Sequence, residues 1–115
     1  MIRGGLVTLF VRDMDRAVRF YVETLGMKLV EQGGAGQAVI DAGDGFRIGL
    51  ERVARVPQHA EGMPAVGLST KVPLREAVGI FENRGVAFEL KAFGPVTLAH
   101  FRDPDDNALY LREQT

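Results

Sequence analysis

Hydrophobic and polar positions along the chain change period several times, and each change marks an element. Leu6-Val7-Thr8-Leu9-Phe10-Val11 is rich in β-branched and aromatic residues and contains no breaker, which predicts a strand. Asp13 is a good helix N-cap, and Asp15 falls in the first turn, where the helix dipole favours an acid. Met14, Ala17, Val18, Tyr21 and Leu25 then recur at helical spacing, and Gly26 closes the helix. Met27 to Glu31 predicts a short strand, followed by a flexible turn at Gly33, Gly34 and Gly36. Gln37 to Asp41 and Phe46 to Glu51 flank Ala42-Gly43-Asp44-Gly45, a hairpin signal.

The periodicity lapses between Arg52 and Pro64, and the order then repeats. Val66 to Val72 predicts a strand. Leu74, Ala77, Val78 and Phe81 form a helical stripe, with Pro73 suited to its first turn and Gly85 just past its end. Val86 to Leu90 predicts a strand, and Val96 to Arg102 and Asn107 to Arg112 flank the turn Asp103-Pro104-Asp105-Asp106. The second half tracks the first at an offset of 59 to 61 residues. The reading is an α+β fold of two βαβββ repeats, about 4–52 and 65–115, joined by a connection over about 53–64. Each repeat has one helix for one sheet face, and two such sheets facing each other would make a cleft. An alternating α+β regulatory domain with packed helices fits the same pattern.

Composition narrows the function classes. The chain has 115 residues, 46% hydrophobic and 25% charged, which suits one globular domain. It has no cysteine, which removes disulfide scaffolds, thiolate zinc sites and cysteine nucleophiles. Fourteen basic and fifteen acidic residues leave a net charge of −1 with no basic block, so nucleic-acid binding has no electrostatic support. The apolar stretches are too short to span a bilayer. Met1-Ile2-Arg3-Gly4-Gly5 lacks the apolar core of a signal peptide, which points to a cytoplasmic protein.

The segment from Val7 through Asp13, Ala17, Phe20-Tyr21 and Leu25-Gly26 resembles the opening of the vicinal oxygen chelate superfamily, which includes glyoxalase I, bleomycin-resistance proteins and extradiol dioxygenases. Phe101-Arg102-Asp103-Pro104-Asp105-Asp106-Asn107 resembles the same group's closing hairpin. The two segments bracket nearly the whole chain, and the two-copy βαβββ order is that group's fold unit. One departure is Asp106, where the family usually has glycine; aspartate tolerates the left-handed conformation better than most residues. Phe20, Tyr21 and Leu25 read as core, Asp13 as a cap, and Asp103 and Asn107 as turn residues.

Metal-using members of the superfamily hold a divalent ion with histidine on the first strand of a half and glutamate on its last. The resemblance carries these places to Leu6 and Tyr110, and the internal offset of 61 carries them to Gly67 and Gly49. Leucine and glycine side chains offer no donor atom, and a neutral phenol is a poor ligand for such ions. The expectation is therefore no metal and no other cofactor.

Strand alternation turns Leu6, Thr8 and Phe10 to the cleft, with Val7, Leu9 and Val11 toward the helix. The same reasoning adds Arg47, Glu51, Ser69, Lys71, His100, Tyr110 and Arg112. These ten residues make an apolar and aromatic floor with cationic and hydroxyl groups, the balance of a small-molecule site. His59, the other histidine, reads as a solvated residue of the connection.

Three functions compete. A metal-free protein resembling the bleomycin-resistance branch, which sequesters an aromatic or cationic metabolite, could bind a small aromatic or acidic metabolite or antibiotic in the cleft. A lyase, isomerase or dioxygenase-type enzyme could use non-standard residues, with His100 as general base and Tyr110 as proton donor. A structural or regulatory partner would need no ligand. Pairing into a two-fold homodimer is expected from the family and from the uncovered sheet faces.

Overall fold

The computed structural model describes residues 1–57 and 62–113. The chain forms two compact units that divide between Gln58 and His59. His59 lies outside the described residues.

In the first unit, β1 (Val7–Val11) leads into α1 (Met14–Arg19), and β2 (Lys28–Gly33), β3 (Gln37–Gly43) and β4 (Phe46–Arg52) follow. Asp13 caps α1 as its sequence position suggests, its carboxylate accepting from the Arg16 N–H at 3.1 Å. The helix continues beyond α1 as a π-helix over Phe20–Thr24, and the Leu25 N–H donates to the Phe20 carbonyl at 3.0 Å. Gly26 then exits at φ 78°. The sheet order is β1-β4-β3-β2, with β1 parallel to β4 and the other pairs antiparallel. Ile48, Leu50, Ala38 and Ile40 are buried with Val11, Met14, Ala17 and Tyr21, so alternation puts one sheet face under the helix. Val7 shares that face by register with Ile48 but is exposed.

The second unit repeats the order with β5 (Val66–Thr70), α2 (Leu74–Glu82), β6 (Glu89–Phe93), β7 (Val96–Arg102) and β8 (Ala108–Glu113), in sheet order β5-β8-β7-β6. Its core holds Val66, Ala77, Val86, Ala99, Phe101, Leu109 and Leu111. Pro73 is the N-cap of α2 and has no side chain for that task; the Glu113 carboxylate on β8 accepts from the Leu74 N–H at 2.8 Å instead.

Three local readings need correction. The strand expected at Val86–Leu90 forms at Glu89–Phe93, because Val86 is consumed by the helix exit, where its N–H donates to the Phe81 carbonyl. The second strand begins at Lys28, extends to Gly33, and carries an irregularity between Leu29 and Glu31. Lys71 lies beyond the end of β5 in a bend, so strand alternation no longer sets its direction.

The closing turn is built around Asp103, which is buried. Its carboxylate accepts from the Asp105 N–H, the Asn107 N–H and the Asn107 side-chain amide, all within 2.8–2.9 Å. Asp106 adopts φ 64°, the left-handed conformation expected where the family usually has glycine.

Candidate functional site

Each unit presents one sheet face away from its helix, and the residues singled out by alternation divide between the two faces. In the first unit Thr8 pairs with Gly49 and Phe10 with Glu51. Arg47, Gly49 and Glu51 alternate with buried Ile48 and Leu50, which places them on the outer face. Leu6 precedes β1 and lies over this face: its Cδ1 is 2.9 Å from where a Cβ at Gly49 would stand, and the Thr8 Oγ1 is 3.3 Å away. Leu6 and Phe10 are both exposed, at 48% and 40%.

The outer face of the second unit carries the most chemistry. One row runs straight across the sheet, with Glu89 opposite His100, His100 opposite Tyr110, and Tyr110 opposite Gly67. The His100 and Tyr110 ring centroids are 5.4 Å apart, tilted by 43°. The phenol then leans over Gly67, and its Cζ and hydroxyl occupy the space a side chain at 67 would need. Ser69 and Arg112 form the next row. Arg112 also borders a cavity of about 780 Å³ on the helix side, with Leu74, Val78, Glu82 and Leu90.

A second cavity of about 390 Å³ adjoins His100. Glu89 and Lys91 on β6 and Arg102 on β7 line it, together with Met63 and Phe88. The His100 Nε2 has no solvent contact and, among the described residues, no hydrogen-bond partner. Burial holds its pKa below the usual 6.5; Lys91 lowers it further, Glu89 opposes, and Arg102 adds a smaller lowering. The imidazole is therefore neutral near pH 7, able to donate from one ring nitrogen and accept at the other.

Glu89 and Lys91 are absent from the residues chosen by sequence alternation, which was not applied to this strand, and Lys91 lay beyond the expected end at Leu90. A signal was present. Gly94-Pro95 is a two-residue hairpin turn with Gly94 at φ 61°, and it sets Phe93 opposite Val96 and hence Glu89 opposite His100.

The registers also correct one step in locating the metal-ligand places. Gly67 faces Tyr110 as Thr8 faces Gly49, so the offset between the first strands is 59, whereas the last strands keep 61. Leu6 therefore corresponds to Ala65 rather than to Gly67. Neither alanine nor glycine supplies a donor, so the correction leaves the chemistry unchanged. Leu6 packs over Gly49, Tyr110 fills the space at Gly67, and no group of three or more His, Asp or Glu side chains is gathered for an ion among the described residues. The residues at these places do not fit a divalent metal.

Several solved structures share this architecture. Fosfomycin resistance protein FosX from Listeria monocytogenes superposes with a TM-score of 0.80 at 16% identity, over 100% of this chain and 96% of that one. A glyoxalase/bleomycin resistance protein/dioxygenase from Alicyclobacillus acidocaldarius gives 0.79 at 20% identity, covering 95% and 89%. Lactoylglutathione lyase from Agrobacterium tumefaciens gives 0.76 at 17% identity, covering 96% and 94%. At these identities the likeness concerns the fold. The sequence pattern of the Glyoxalase/Bleomycin resistance protein/Dioxygenase superfamily matches residues 5–111, and the chain belongs to that superfamily.

Proposed function

We propose that this chain is a metal-free binding protein of the superfamily that takes up a small aromatic or acidic metabolite or antibiotic. The observation that carries the reading is the seat of Tyr110. Where metal-using relatives place a carboxylate, this chain has a phenol that closes the space at Gly67 and sits beside a neutral imidazole. That exchange replaces an ion site with an aromatic surface and a polar tip, which suits stacking on a flat ligand. Leu6 and Phe10 give the first unit an exposed apolar face of its own. A two-fold homodimer, the commonest closed assembly, would cover part of such faces; light scattering at micromolar concentration tests it, a monomer counting against it.

Two measurements test the function. Elemental analysis of the purified protein should show no stoichiometric zinc, nickel, manganese or iron, and EDTA should leave the thermal midpoint unchanged. A thermal-shift screen of aromatic metabolites and antibiotics should return ligands whose affinity falls by about 1–3 kcal/mol in Tyr110→Ala and much less in Tyr110→Phe. Unchanged affinity in a folded Tyr110→Ala protein would remove the phenol from the site.

A further inference from the structure

We propose that the cavity beside His100 is a subsite for a small oxyanion, a carboxylate or phosphate group, held by Lys91 and Arg102. The inference rests on reading this face as a binding surface and names the ligand chemistry of one part of it. Lys91 shares the His100 face of the sheet, since Glu89 stands opposite His100 and Lys91 follows two residues along the same strand. Arg102 follows His100 by two residues on β7 and therefore points to the same side. All of them border one cavity of about 390 Å³, large enough for a small acid. The Arg102 Nη1 is held at 2.9 Å by the Asp106 carbonyl, which orders the guanidinium while leaving its other donors for a ligand.

Among the described residues, the charges facing His100 are Lys91 and Glu89 from β6 and Arg102 from its own strand, with the Tyr110 ring from β8. Two cations against one carboxylate leave an excess positive charge around a cavity with a half-buried, unprotonated imidazole on its wall. An oxyanion there would gain charge-assisted hydrogen bonds from Lys91 and Arg102. It would also reverse part of the field that keeps His100 neutral, so occupancy and protonation are linked.

The linkage supplies the experiment. In a His59→Gln protein, His100 is the sole histidine, and its imidazole resonances can be titrated by NMR in inorganic phosphate and in chloride at matched ionic strength. Phosphate should raise the His100 midpoint relative to chloride, and the difference should vanish in Lys91→Met/Arg102→Met. Lys91→Met alone should reduce it, and that variant leaves the Arg102–Asp106 contact intact should the double variant fold poorly. Benzoate and benzamide, equal in shape and unequal in charge, form the second arm. Benzoate should bind about tenfold more tightly, roughly one charge-assisted contact's worth, and the gap should close in the double variant.

An identical midpoint in phosphate and chloride, or a phosphate shift that survives both substitutions, overturns the subsite. A phosphate shift with benzoate and benzamide both failing to bind upholds the subsite and overturns the aromatic reading. Equal binding of the two aromatics without a phosphate shift does the reverse.

Discussion

The phenol of Tyr110 lies over Gly67, its partner across the parallel pair β5–β8, so closely that the two positions cannot both carry side chains as they stand. A Cβ at 67 would fall 2.7 Å from the Tyr110 Cε2 and nearer still to the end of the ring. Gly67→Ala should therefore cost about 1–3 kcal/mol, whether through overlap or through displacing the ring from its seat. In a Tyr110→Ala background the same substitution should be close to neutral. Urea unfolding of the four proteins closes the cycle, and additive effects would show that the ring does not occupy this space.

Gly49→Ala is expected to be milder. The atom it meets first is the Leu6 Cδ1, the far end of a side chain that is half exposed and free to rotate away. The cost should stay under about 1 kcal/mol by denaturant unfolding, in contrast to position 67.

Asp106→Gly should stabilise the protein. The residue has φ 64°, which an aspartate tolerates and a glycine adopts without strain. The contacts made here by its backbone, from the Arg102 guanidinium to its carbonyl and from its N–H to Asp103, survive the change. The relief of left-handed strain, roughly 1 kcal/mol, exceeds the entropy cost of a glycine in the unfolded chain only modestly, so a gain of about a few tenths of a kcal/mol is expected in the unfolding free energy.

Stability should rise with pH across the range where His100 titrates. Its folded pKa lies below the unfolded value of about 6.5, so the unfolded chain binds more protons in between. The contribution is fully present above about pH 6.5 and is lost as pH falls from there through the folded pKa. His100→Gln should flatten this part of the profile, which unfolding free energies measured between pH 5 and pH 8 would reveal.

Much of the fold was legible because its signals are local. Asp13, Gly26 and Gly85 bound the helices, and the turn around Asp103 folds β8 back onto β7, which brings His100 beside Tyr110. The less legible features depend on register. Val86 and Phe88 look like strand residues by composition, yet Val86 closes the helix exit and Phe88 packs 5.3 Å from the Phe101 ring, ahead of the strand. That shift hid Lys91. The two-residue difference between first-strand and last-strand offsets hid the correspondence of Leu6 with Ala65, since a repeat seen in sequence does not reveal where an inserted residue is absorbed.

The two units solve the same steric problem in opposite senses. In the first, bulk comes from the β1 side and the glycine sits on β4; in the second, the glycine sits on β5 and bulk comes from β8. For the second unit this imposes an order on sequence change. A donor side chain arriving first at position 67 meets the Tyr110 ring, whereas loss of the ring clears room for one later. Any larger residue at position 67 has therefore to follow the loss of the ring at position 110, not precede it, and the tyrosine sets the order in which this half of the molecule can change.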